Sequence, residues 1–242
     1  MKRRHFLKLM SATPVLAAPA SWRFLKDTTP QLCGLEAPPL YGQDFRLRRD
    51  AAQALEAMQA AAKKEHILLQ SRSSYRSFSF QTQSWNRRMK ELLAKGKTLE
   101  EALEINLRYV AIPGTSRHHW GTDIDLLDAA HPAPRKGMPI RHFKPNGRYH
   151  TMYKWLQKHG PDYGFFLTYT DKPERKGFYY EPWHYSYAPL AKGLLKNMLV
   201  IDYQDLWRPH TIIGKELMTA PFMKKYLVNY LLGINPSLLP EW

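Results

Sequence analysis

Residues 115–126 read TSRHHWGTDIDL, directly after a Pro113-Gly114 turn. From Thr122 to Leu127 the residues fit a strand, where side chains alternate faces. Asp123 and Asp125 then share one side, and Thr122, Ile124 and Leu126 share the other. Only one side can be the core. Two carboxylates on the opposite side must be solvated, paired or bound to a metal, because an unpaired buried charge costs several kcal/mol. Taken alone, a solvated polar face is the simpler outcome. His118 and His119, just upstream, raise the count to four polar side chains, more than one metal or one proton relay requires.

A second stretch shifts the balance. Glu181-Pro182-Trp183-His184 sets a carboxylate three residues before a histidine, inside an aromatic run from Phe178 to Tyr187 that reads as a strand. Zinc in hydrolases takes three nitrogen or oxygen ligands and leaves a fourth position for water, with a free glutamate nearby as base. One histidine and one aspartate from the first stretch, with His184, would complete such a set and leave Glu181 as the base.

Outward from these two stretches the pattern is α+β. Asp50 is a suitable N-cap for a helix whose face carries Ala51, Leu55, Met58 and Ala62 and which ends at Lys63-Lys64. Ile67 to Ser71 reads as a short buried strand, 79–94 as a helix stopped by Gly96, and Thr98 with Glu101 as a capping box opening a third helix. Residues 128–149 form an irregular loop and 150–159 a helix. Gly164 to Tyr169 reads as a further strand. The last fifty residues are helical in pieces, with Leu194, Leu195, Met198 and Leu199 on one face. Strands interspersed with helices at irregular intervals argue against a doubly wound sheet.

The chain has 242 residues, with 44% hydrophobic and 13% aromatic side chains, which suits one domain with a substantial core. Its first twenty residues, MKRRHFLKLMSATPVLAAPA, place Arg3-Arg4 before a short apolar stretch and an Ala18-Pro19-Ala20 cleavage site. That is the layout of an export signal of the twin-arginine type, with cleavage after Ala20. Cleavage would remove Lys2, Arg3, Arg4 and Lys8 and lower the formal charge from +15 to +11. A basic exported protein is expected to meet cell wall and anionic surface polymers rather than nucleic acid. Residues 21–49 read as an extended arm without core residues. Cys33 is the only cysteine and cannot form an internal disulfide.

Three stretches, in order, resemble the VanY-type D-alanyl-D-alanine carboxypeptidase family of zinc metallopeptidases. They are SSYRSFSFQ from Ser73 to Gln81, SRHHWGTDID from Ser116 to Asp125, and EPWHYSY from Glu181 to Tyr187. The resemblance covers about residues 50–190 and implies a hedgehog/DD-peptidase-like fold, a small mainly antiparallel sheet flanked by helices. Residues 191–242 would be a helical extension packed on it. The resemblance also implies that one Zn2+ is held by His118, Asp125 and His184, that Glu181 is the catalytic base and that Arg76 stabilises the oxyanion. Ser116, Gln81, Tyr75 and Trp183 would contact substrate. His119 falls on an unconstrained position, as a rim residue or a support for a ligand.

The implied reaction is removal of a terminal D-Ala from peptidoglycan stem peptides by a monomer with no membrane span. An L,D-carboxypeptidase or a cross-link endopeptidase with the same centre is the nearest alternative, and a non-catalytic wall-binding module the alternative of another class. Departures from the pattern are Ser74 for glycine, Asp123 for alanine, and Ser186 and Thr168 where arginine is frequent. Asp123 either orients a ligand histidine or is neutralised by a cationic neighbour such as Arg117.

Overall fold

A computed structural model describes residues 28–135 and 137–241; the stretch read as an export signal and the first part of the arm lie outside the described residues. Four strands form one antiparallel sheet: β1 (Leu69–Ser73), β2 (Asp123–Asp128), β3 (Phe165–Leu167) and β4 (His184–Tyr187), in the order β1-β2-β4-β3. The α+β reading holds.

Ile124 and Leu126 of β2, Tyr185 of β4 and Phe165 and Leu167 of β3 pack into one apolar cluster. That cluster includes Leu55 and Met58 of α2 (Arg49–Lys64) and Met152 and Trp155 of α5 (His150–His159). The helical period read along α2 is the face it buries. Its N-cap differs: Arg48 takes the extended cap conformation, and Asp50 falls in the first turn, where its charge complements the helix dipole.

The second cluster is helical. It joins Phe78, Trp85 and Met89 of α3 (Phe78–Leu93) and Leu103 of α4 (Leu99–Leu107) to Leu194, Leu195 and Met198 of α6 (Ala188–Met198). Trp207, at the end of α7 (Tyr203–Trp207), and Tyr226 of α8 (Ala220–Tyr226) complete it. The capping box at Thr98 is present in full. Residues 191–242 therefore supply much of a shared core. Trp207 donates from Nε1 to the Pro113 carbonyl at 2.7 Å, and Asn235 bonds from its backbone to Thr168 and from its side chain to Leu167, tying down the end of β3.

Two expectations are corrected. The arm is not free of core: Thr29–Leu32 forms a helical turn, α1, with a Thr28–Gln31 capping box, and Leu32, Cys33, Phe45 and Leu47 are buried. The strand expected from Phe178 to Tyr187 shrinks to β4. Pro182 has no N–H for a ladder, and the chain instead closes a turn in which His184 N–H donates to the Glu181 carbonyl at 3.1 Å.

Candidate metal centre

The register of β2 against β4 sets Asp125 opposite His184 and Asp123 opposite Ser186. All six residues of β2 are buried, so the carboxylates do not lie on a solvated face. His118 arrives from a 3-10 turn, Arg117–Trp120, that ends at Gly121. Gly121 has φ 67°, and a Cβ there would meet Leu40 Cδ2 at 2.7 Å, so the turn leading into β2 requires glycine.

His118 Nδ1 lies 2.7 Å from the Ser74 carbonyl, which can only accept, so Nδ1 carries the proton and the Nε2 lone pair is left over. Nε2 is 3.6 Å from Asp125 Oδ1. His184 places Nε2 3.0 Å from Asp123 Oδ1 and turns Nδ1 toward Glu181 Oε2 at 3.1 Å and Asp125 Oδ1 at 3.6 Å. Asp125 Oδ2 accepts from Arg76 Nη2 at 2.7 Å, while its Oδ1 is buried with no hydrogen-bond partner. One donor atom from each of His118, Asp125 and His184 lies within 4.8 Å of the others, a set that can hold a metal ion. An orphaned buried carboxylate oxygen beside the His118 Nε2 lone pair and a His184 Nδ1 whose proton an ion would displace suits zinc, which takes nitrogen and oxygen ligands.

The electrostatics follow from the packing. Burial works to raise both Asp123 and Asp125, but their neighbours, Arg117 and then His184 for the first and His118 and then Arg76 for the second, hold both below the usual carboxylate range. His118 is lowered by burial and by Arg76. His184 is pushed up to about 9: burial opposes this, and its bonds to Asp123 and Glu181 prevail.

A cleft of about 180 Å³ opens on the donor set. Arg76, Gln81, Ser116, Glu181 and Trp183 line it, as the sequence led us to expect. Tyr75 does not line it: it is half-buried, its backbone N–H donates to the Arg46 carbonyl, and the next residue, Arg76, reaches the cleft instead. Gln81 is nearly buried and donates to the Ala111 carbonyl at 2.8 Å. His119 is no rim residue. It is fully buried, with Nδ1 2.7 Å from the Arg76 carbonyl and Nε2 accepting from Gly114 N–H, and burial pushes it down to about 4. It braces the backbone that carries Arg76.

Sequence reasoning missed Tyr169, whose ring meets the His184 ring edge-on at 4.9 Å, and Tyr109 and Phe178, which also line the cleft. The aromatic run from Phe178 to Tyr180 reads as core and cleft wall, which suits Phe178, whereas nothing in the sequence around Tyr109 pointed to the cleft. Ser186, noted only as a departure, bonds both Arg117 and Asp123.

Residues 44–190 match the family described as VanY: D-alanyl-D-alanine carboxypeptidase. The chain belongs to this family. Membership makes it a hydrolase of the metallopeptidase type. The D-alanyl-D-alanine carboxypeptidase of Enterococcus faecalis is 31% identical over 118 residues, 48% of this chain and 38% of that one, so the chain spans well under half of that relative. VanYB in complex with D-alanine-D-alanine superposes with a TM-score of 0.52 at 23% identity, covering 76% of this chain and 91% of the other. A mutant of the D,D-pentapeptidase VanY from a VanB-type vancomycin-resistance cassette, in complex with Zn(II), gives 0.50 at 23% identity over 75% and 88%. Both structures share the fold, which agrees with the expected architecture.

Proposed function

We propose that the protein is an exported, zinc-dependent carboxypeptidase that removes a terminal D-amino acid, D-Ala, from peptidoglycan stem peptides, with Glu181 as general base. The observation that carries this reading is the convergence of ligand atoms from His118, His184 and the orphaned Asp125 Oδ1 at a cleft that Glu181 also lines, with its carboxylate 3.1 Å from His184 Nδ1. His118, Asp125 and His184 would hold the ion. Zinc, when bound, supplies a Lewis acid and a water acidified enough to react at neutral pH.

The remaining steps belong to the chain. Glu181 takes a proton at its carboxylate and returns it to the leaving amine. Arg76 is fixed by Ser73 Oγ at Nε and by Asp125 at Nη2, and presents a permanent positive charge at the cleft, where an oxyanion develops. Ser116, Gln81 and Trp183 contact the peptide. The names of the Enterococcus relative and of the VanYB complex support D-Ala as the residue removed. Among the described residues no helix is long and apolar enough to cross a membrane, and action on the wall requires export.

The test is incubation of zinc-loaded protein lacking residues 1–20 with muropeptides of three, four and five residues, cross-linked and free, with products identified by mass. Loss of one D-Ala from the pentapeptide alone is the expected result. Shortening of the tetrapeptide to a tripeptide would replace the D,D reading by an L,D one. Cleavage of cross-links would make the protein an endopeptidase, and no product would make it a binding module.

A further inference from the structure

Asp123 and Asp125 stand two residues apart on one strand, and their four oxygens are treated differently. An ionised carboxylate offers about four acceptor positions. Asp123 fills them all from the protein: Oδ1 accepts from Arg117 Nε at 2.9 Å and from His184 Nε2 at 3.0 Å, and Oδ2 from Thr122 Oγ1 at 2.7 Å and Ser186 Oγ at 2.9 Å. Ser186 Oγ also accepts from Arg117 Nη2 at 2.6 Å, which closes a ring of Arg117, Asp123 and Ser186. Asp123 and Ser186 are wholly buried and Arg117 nearly so, its guanidinium 4.5 Å from the Trp120 ring centroid. Asp125, by contrast, keeps Oδ1 without a partner.

We propose that Arg117, Thr122 and Ser186 lock Asp123 as an anchor for His184, fixing Nε2–H inward so that the Nδ1 lone pair faces the ligand set, and that the same lock stops Asp123 from becoming a fourth ligand. The inference rests on the reading of His118, Asp125 and His184 as metal ligands. The logic is directional. A carboxylate can only accept, so Asp123 holds a proton on Nε2, and the proton that Glu181 draws onto Nδ1 in the metal-free site is the one an ion would displace to reach the lone pair. Arg117 has no acceptor, so Ser186 must pass its own proton to Asp123. Every hydrogen in the ring then has one orientation. Partners beyond the ligands fix the tautomer and angle of a metal-binding imidazole, and their loss weakens metal affinity 10- to 100-fold. Asp123, Arg117 and Ser186 are positioning residues, acting through His184 without touching substrate.

The test measures zinc dissociation constants and the visible spectrum of the cobalt(II)-loaded protein, alongside far-UV circular dichroism as a check of folding. Asp123→Ala, where it folds with the buried Arg117 guanidinium left without its carboxylate, should weaken zinc about 10- to 100-fold and alter the cobalt spectrum. Arg117→Met alone leaves a buried unpaired carboxylate and is expected to fold poorly. The double variant Arg117→Met with Asp123→Ala removes both charges, and should fold and match the zinc affinity of Asp123→Ala, because the arginine acts only through the aspartate. If Asp123→Ala does not fold, Asp123→Asn keeps the shape and one acceptor oxygen and should still lose about tenfold. Zinc affinity within twofold of the parent in the folded Asp123 variants would overturn the anchor and leave the metal site standing. Equal zinc binding by the parent and by His184→Ala would instead overturn the metal site itself.

Discussion

The two faces of the sheet are equally hidden from water and are stabilised by opposite means. On one face Ile124, Leu126, Tyr185, Phe165 and Leu167 meet α2 and α5, and stability comes from apolar area removed from water. On the other, Asp123, Asp125, His184 and Ser186 are also buried, and only paired charges and filled hydrogen-bond positions make that tolerable. Burial does not separate core from site here. Partner count within the polar face does: Asp125 Oδ1 is buried without a hydrogen-bond partner and lies at the cleft, whereas every oxygen of Asp123 is taken by the protein.

The largest effect expected on the polar face is catalytic. Glu181→Gln is isosteric, leaves His118, Asp125 and His184 in place, and removes the proton acceptor. Turnover should fall roughly 10²- to 10⁴-fold with zinc stoichiometry unchanged, measured by product release and metal analysis on the same sample. Full activity in that variant would break the assignment of base to Glu181. It would also show that the unpaired atoms of this face do not mark its chemistry.

On the apolar face the corresponding change is Ile124→Ala, between the two aspartates in sequence but pointing away from them. It should cost about 2–5 kcal/mol of stability in urea unfolding of the apo protein. Zinc affinity of the folded protein should stay at the parent value. If metal affinity fell together with stability, the two faces would not be independent, and the contrast drawn from β2 would fail.

How far the sequence showed this depends on the range of the interaction. Local signals were readable: the Thr98–Glu101 capping box, the α2 face of Leu55, Met58 and Ala62, and the alternation of β2 all stand where they were expected. Pro182 was readable as a strand breaker and was outweighed by aromatic propensity, which made β4 too long. Leu32 and Cys33 carry no period, so nothing local announced that the arm closes a core made by helices far along the chain. The ligand set came from motif resemblance. Of the contacts of Asp123, a ligand histidine and Arg117 were anticipated as alternatives and both are made, whereas Ser186 was not readable, because only the register of β2 on β4 puts it opposite Asp123. His119 read as a rim residue or a support for a ligand, and only the return of the Arg76 and Gly114 backbones explains why it is buried.

Cys33 gives the smallest effect and isolates what burial does to a titratable group when no partner is supplied. It is fully buried in the helical cluster, and burial alone pushes its thiol up to about 12, whereas equally buried Asp123 and Asp125 are held down by their cationic neighbours. The thiol should therefore resist aromatic disulfide reagents at pH 8 in the folded protein and react fully on unfolding. The folded value lies above the unfolded one, so the contribution to stability is complete below about pH 9, set by the ordinary thiol, and is lost as pH rises toward about 12. Each unit in that window is worth about 1.4 kcal/mol at most. Subtracting the pH profile of Cys33→Ala from that of the parent removes every other titration common to both. The difference should be flat from pH 7 to 8.5 and fall by about 1 kcal/mol by pH 10. Rapid labelling at pH 8, or a flat difference through pH 10, would show that the thiol finds a partner or water. The contrast between a buried group with partners and one without would then have to rest on Asp123 and Asp125 alone.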